Sequence, residues 1–321
     1  MSYLYILGGQ QKGEIQEEWR QFQKGKILKV DLENMHVQPC LDYVSPQNVC
    51  PEPDPSILFK AGTVEGNRLY TCTQTEVIVY SLPDFKQLHY ISLPCFNDLH
   101  HVRPSKDGNL LVVSTGLDLV LKINYEGDVL EEWNVLGKDP WVRFSKNIDY
   151  RKVPTTKPHE AHPNYVFELN GHVWATRCLQ KDVICLTDPS KRIYIGKALI
   201  HDGVVVGNFI YFTRVDGTVV IVDARTYRIR AIRDLTKFTN YNKPLGWCRG
   251  IQVLNNNKVI IGFSRLRPSN SAGNEGEGRS RAGYGVLPTR VACYDLKKKR
   301  LLWQLPLEDY GLNSIFSIHL H

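Results

Sequence analysis

The chain is expected to fold as an all-β, six-bladed β-propeller of four-stranded antiparallel blades, and three observations predict it. The first is a repeat with a period of about 40 residues, in the range of propeller blades. The second is that its units are short, β-branched strands set between Gly, Asn, Asp and Pro turns, with almost no helical periodicity. The third is that the two ends of the chain complement each other as incomplete pieces of one blade.

The elements follow in order. "YLYILGG" from Tyr3, "GKILKVDLE" from Gly25 and "VQPCLDYV" from Val37 read as strands B, C and D of a blade with no A strand before them. Four copies of one plan come next, beginning at Val64, Lys106, Leu169 and Val205. Each runs from a Gly-Asn or Asn-Gly turn through a strand, a loop and a Val/Ile/Leu strand. An Asp/Asn/Ser/Pro turn and a more polar strand complete it. A further copy starts at Arg249 and resumes at Arg290 after a Gly/Ser/Arg-rich insertion. The chain closes with "NSIFSIHLH", a lone A strand that completes the first blade and leaves the ring without an open edge.

Composition sets bounds on function. Hydrophobic residues at 42% and charged residues at 23% suit one globular domain spanning 1–321. No apolar run reaches the roughly 18 residues of a membrane span. The N-terminus lacks a basic leader, so a cytoplasmic location is expected. Eight cysteines without a CxxC pair read as reduced, mostly buried thiols. A net charge of +7 is modest for this length. It makes a nucleic-acid partner a weak expectation and leaves an anionic small molecule as the favoured one.

The repeat also predicts where side chains converge. A strands line the axis of a propeller, and their first residues lie at the face from which the D-to-A and B-to-C loops emerge. His101, His201 and Arg249 begin A strands in three blades, His162 precedes another, and His319 lies in the closing strand. The B strands of three successive blades end in Arg177, Arg214 and Arg265, each one residue after a Ser or Thr. Guanidinium groups so placed point to carboxylate, phosphate or sulfate. The three longest connections, 8–25, 137–163 and 266–289, all leave that same face, which marks it as a binding face.

These residues yield specific expectations. His101, His162, His201 and His319 are candidate ligands for a divalent metal, Fe or Zn, with an open position for substrate. Asp98, Asp202 or Glu160 would complete the shell or orient a histidine through its second nitrogen. His101, His201, Arg249 and Glu160 are the candidate catalytic residues. Arg177, Arg214, Arg265 and Trp247 are the candidates for holding a small anionic substrate, an aromatic one included. A metal-free pocket of His and Arg, moving protons near neutral pH, is the alternative chemistry. "PHEAHP" has H-E-x-H spacing between prolines, so it is a loop rather than a helical zinc motif, and the chain carries neither a P-loop nor a G-x-S-x-G elbow.

The repeat pattern resembles the broad superfamily of six-bladed propellers that includes NHL-repeat proteins, peptide-amidating lyase and gluconolactonase-type lactonases. His101, His162, His201, His319 and Arg249 carry a likeness to the amidating lyase, which implies a metal-bearing channel. Four histidines from four blades are also similar to the iron site of carotenoid-cleaving oxygenases, which are longer and seven-bladed. The lactonases use Glu, Asn and Asp in the channel, where this chain offers mainly His and Arg, and that departure argues against lactonase activity. The expected function is therefore a metal-dependent lyase or hydrolase. A non-haem iron oxygenase, or a non-catalytic scaffold for a protein or peptide, stands as the alternative.

Overall fold

A computed structural model describes residues 2–13, 20–255, 257–266 and 287–321. Six four-stranded antiparallel sheets form a ring. The first blade contains β1 (Tyr3–Gln11), β2 (Phe22–Asp31) and β3 (Val37–Tyr43), and β24 (Ser314–Leu320) supplies its inner strand. The second blade is β4 (Thr63–Glu65), β5 (Arg68–Cys72), β6 (Val77–Ser81) and β7 (Gln87–Ile91). The third is β8 (Leu99–Pro104), β9 (Leu110–Ser114), β10 (Leu119–Ile123) and β11 (Val129–Asn134). The fourth is β12 (Pro163–Leu169), β13 (His172–Arg177), β14 (Asp182–Cys185) and β15 (Arg192–Tyr194). The fifth is β16 (Val204–Val206), β17 (Phe209–Arg214), β18 (Thr218–Asp223) and β19 (Ile229–Asp234). The sixth is β20 (Trp247–Asn255), β21 (Lys258–Ser264), β22 (Arg290–Asp295) and β23 (Arg300–Pro306).

The middle strands read as unbroken apolar runs because both of their faces are covered. Successive side chains of a strand point to opposite faces, and in this ring each face meets the next blade. "VIVY" in β6 illustrates it: Val77 and Val79 pack toward the third blade, while Ile78 and Tyr80 pack toward the first. An apolar layer joins each neighbouring pair of blades all the way round. Trp174, fully buried and stacked parallel to Phe167, is a wedge between the fourth and fifth blades. The outer strands are more polar, as in β7 and β11, because their outer edge meets water. All eight cysteines are free thiols, six of them buried.

Ring closure rests on β24 pairing with β1, from Leu4 opposite Leu320 to Gly9 opposite Ser314. The two backbones approach so closely that a Cβ on Gly8 would stand 1.7 Å from the carbonyl oxygen of Ser314. Gly8→Ala must therefore push the closing strand away, and overpacking at a point with no room to yield costs about 3 kcal/mol. Urea unfolding is expected to show that loss; a variant within 1 kcal/mol of the parent would remove closure as a source of stability.

The expected insertions are only partly visible. The segment 8–25 is mostly strand, since β1 and β2 extend into it, and residues 14–19 lie outside the described residues. The connection 266–289 is described only at its ends, because 267–286 fall outside. The connection 137–163 is described throughout and lies over the axial face. Lys152 Nζ donates to the carbonyls of Gln47 and Cys50, and the amide of Asn97 donates to the carbonyls of Tyr150 and Val153. Among the described residues no helix is long and apolar enough to cross a membrane.

Candidate functional site

Each blade delivers one side chain to the mouth of the axis. They are Lys60, His100, His162, His201, Arg249 and Phe316, at or just ahead of the six innermost strands. The Phe316 ring is the hub. Lys60 Nζ lies 4.8 Å from its centroid and Arg249 Cζ 4.7 Å, while the rings of His201 and His100 are centred 6.0 and 6.3 Å away. His162 joins through His100, at 4.9 Å between centroids.

A shared backbone device builds this ring. Four inner strands carry an extra, unpaired residue at the mouth, between Leu99 and His101, Pro163 and Tyr165, Arg249 and Ile251, and opposite the Leu7–Gly8 step. The extra residues are His100, Asn164, Gly250 and Phe316. A β-bulge bends its strand and re-aims the side chain it carries. Gly250 fits because its φ is +75° and a Cβ there would crowd Ser317 at 3.1 Å.

Hydrogen bonds fix the protonation of the imidazoles. The Thr115 hydroxyl donates its only proton to the Pro163 carbonyl, 2.6 Å away, so it accepts from His100 Nδ1 at 2.6 Å. His100 thus holds its proton on Nδ1 and presents a bare Nε2, to which Lys60 Nζ donates over 3.4 Å. His201 Nδ1 faces the Asp202 carboxylate at 3.4 Å, and its buried Nε2 has no hydrogen-bond partner among the described residues. Asp202 is anchored by the Gly250 amide at 2.9 Å and by the Thr213 hydroxyl. His162 Nδ1 shares a 2.7 Å contact with His159 Nδ1.

Burial is the largest cause holding His100, His162 and His201 below the usual imidazole range, with nearby cations adding to it, so all three are neutral near pH 7. Burial would raise Asp98, but Lys60 at 3.0 Å holds its carboxyl well below the usual range. A narrow cleft lined by Asp98, Thr156, Lys157 and His159 among others meets the ring at Lys60 and Phe316.

Asp118 positions the fourth-blade contribution. Its carboxylate, 1% exposed, accepts from the backbone amides of Glu160, Ala161 and His162 at 2.8, 3.1 and 2.8 Å, with Arg143 beside it. Those bonds hold the loop that carries His159 and His162 against the axis.

The structure brings together His162, His201 and Arg249 from the expected set, with Asp202 behind His201 in the expected orienting role. Trp247 sits beside them, its ring 5.4 Å from Arg249 Cζ. Other expected residues are placed elsewhere. His101 stacks on Tyr165 at 3.7 Å, lower on the axis. The Val166 amide donates to its Nδ1, so its Nε2 carries the proton and donates to Thr63 Oγ1, and both nitrogens are engaged. His319 Nε2 contacts Ser317 Oγ at 3.1 Å. These two therefore do not close a shell with His162 and His201, and among the described residues no group of three or more His, Cys, Asp or Glu has the geometry of a metal site. Glu160 turns to solvent and pairs with Lys138 at 2.8 Å.

Arg177, Arg214 and Arg265 do not converge either. Asp182 grips Arg177 through two bonds of 2.9 and 2.6 Å, Asp216 takes Arg214, and Glu308 takes Arg265. Their anions are supplied by the chain itself. Sequence reasoning missed Lys60, His100, Asn164 and Phe316, and the signal for His100 was its place directly beside His101.

No protein-family model matches the chain, and no curated protein does. Among solved structures, a protein of unknown function from Bacteroides caccae is similar, with a TM-score of 0.63 and 16% sequence identity, over 99% of this chain and 98% of that one. At that identity the likeness carries the fold alone.

Proposed function

We propose that this propeller is an enzyme of lyase or hydrolase type that acts on a small anionic substrate at the mouth of its axis. The observation that carries the reading is His201 Nε2: a buried, neutral nitrogen with no hydrogen-bond partner among the described residues, on an imidazole backed by a carboxylate and centred 6.0 Å from Phe316 and 6.1 Å from His100. An orphaned polar atom in so buried a place costs stability, and a functional role is what explains its being kept. In this reading His201 is the general base, taking a proton from substrate or from water, and Asp202 keeps its Nδ1 proton in place. Arg249 supplies positive charge for the substrate anion, Lys60 adds to it although Asp98 already pairs with it at 3.0 Å, and Phe316 forms an apolar floor beneath it.

A second reading adds a divalent metal, because His100 and His201 both keep a proton on Nδ1 and leave Nε2 as the acceptor, the pattern of metal-binding histidines with an oriented second nitrogen. As placed, the rings form no ligand group among the described residues and would have to draw together around the ion. His162 would be the third ligand. When bound, the metal would supply Lewis-acid polarisation. This set preserves the likeness to peptide-amidating lyase with His100 in the place expected for His101.

The test is a panel of small carboxylate esters, phosphoesters and hydroxy acids at neutral pH, with metal analysis of the purified protein. Turnover is expected, falling about 100-fold or more in His201→Ala, the usual weight of a general base. Turnover that survives His201→Ala and Asp202→Asn unchanged would remove the proposed base. One tightly held metal per chain, lost in a His100→Ala, His201→Ala double variant, would select the second reading.

A further inference from the structure

We infer that the substrate at the axial mouth bears at least one hydroxyl beside its anionic group, which makes it a hydroxy acid. This rests on the proposed reading of the mouth as an anion-binding active site and names the class of molecule it takes.

The donors and acceptors at the mouth are out of balance. His201 Nε2 is a bare acceptor without a donor among the described residues. Asn164 adds a second. It is 1% exposed, and its Nδ2 donates to the Ile200 carbonyl at 2.9 Å, which fixes the amide orientation and leaves Oδ1 buried with no partner. Ile200 immediately precedes His201, so Asn164 is tied to the segment that carries the first acceptor. His100 Nε2, the third acceptor, is met by Lys60 over a long 3.4 Å. Such acceptors call for O–H or N–H donors from a ligand.

The neighbouring charges select between those donors. Lys60 and Arg249 flank the Phe316 ring at 4.8 and 4.7 Å, while Asp98 is taken up by Lys60 at 3.0 Å and Asp202 by His201, Thr213 and the Gly250 amide, so an ammonium ligand would meet two like charges and carboxylates that are already engaged. A neutral hydroxyl meets none of that repulsion and satisfies His201 or Asn164, while a carboxylate on the same molecule is drawn to the two cations. A site built around hydrogen bonds to a substrate hydroxyl rejects analogues that lack it, because its buried groups are then left unpaired.

Three probes of nearly equal size separate the terms: glycolate, which has the hydroxyl; methoxyacetate, in which it is capped; and acetate, which lacks it. Their dissociation constants are read by NMR titration of the wild-type protein, which needs no variant to fold. Glycolate is expected to bind about tenfold tighter than either of the others, a ratio worth one lost hydrogen bond at a buried acceptor. In His201→Ala the ratio is expected to fall toward one. Equal binding of the three probes would overturn the hydroxyl inference while leaving an anion site in place. Binding of none of them would overturn the inference together with the anionic reading beneath it.

Discussion

Asp182→Ala is expected to lower stability by about 3–5 kcal/mol, the cost of breaking a buried ion pair by removing one partner. The Asp182 side chain is 0% exposed and that of Arg177 only 9%. The guanidinium gives Nε and Nη2 to the carboxylate and Nη1 to the Val135 carbonyl at 3.0 Å, so Asp182 ties the fourth blade to the end of the third. Alanine leaves that guanidinium buried beside one carbonyl and takes the same anion from Arg192. Asp216, which pairs with Arg214, has a side chain 38% exposed, so water can enter where its carboxylate stood, but Arg214 itself is only 8% exposed; Asp216→Ala is therefore expected to cost about 2 kcal/mol, between a surface pair and a fully buried one. Replacing both Arg177 and Asp182 by apolar residues should recover much of the loss, since no buried charge is then left unpaired and Arg192, 45% exposed, is met by water. Urea unfolding of the four proteins checks the series. Equal, small losses in the two aspartate variants would mean that Arg177 is hydrated and that the arginine ends of the B strands do not tie blade to blade.

That contrast also shows how far the sequence could be read. The blades were legible because each apolar run is dictated by burial on two faces, and the ring closure because β24 lacks any other partner. The convergence of His162, His201 and Arg249 followed from the same repeat. His101 stood as the expected residue because it begins the third inner strand; the bulge between Leu99 and His101 adds one residue and turns the other imidazole to the mouth. A bulge of this kind has no signature in a strand of apolar and polar residues, whereas Gly250 marks one openly. The arginines were readable as a set, and so were the acids that neutralise two of them, at the B-to-C turns as Asp182 and Asp216. Charge pairs across a turn of a few residues are local information, and weighing the arginines without those acids turned an internal strut into a substrate site. Lys60 and Phe316 carry no motif; only the assembled ring gives them a role.

Stability is expected to fall as pH drops from about 6.5 to about 4, by several kcal/mol. Five imidazoles on the axis, His100, His101, His162, His201 and His319, are held below their ordinary range, with burial the largest cause in each. In the unfolded chain a histidine takes up its proton near pH 6.5. The folded protein refuses that proton until much lower pH, so between the two values the unfolded state binds more protons and gains ground as pH falls. For His319, lowered to about 4, the loss begins near the unfolded value and is complete near the folded one, about 3 kcal/mol across the window. Asp98, held well below the carboxylate range, acts the same way at lower pH. Its contribution is present above the unfolded value near 3.9 and is lost as pH falls through its folded value. Urea unfolding at pH 7.5, 6.5, 5.5 and 4.5 is the measurement. A stability unchanged down to pH 5 would mean that the axis admits protons as readily as water does, and His201 would then not be the desolvated base proposed for it. If the fall is found, His319→Gln should shrink it while leaving turnover at neutral pH in place, because that ring lies beside Ser317, below the group that faces the substrate. The low proton affinity of the axis and the availability of His201 Nε2 at neutral pH have one cause, the withdrawal of the imidazoles from water.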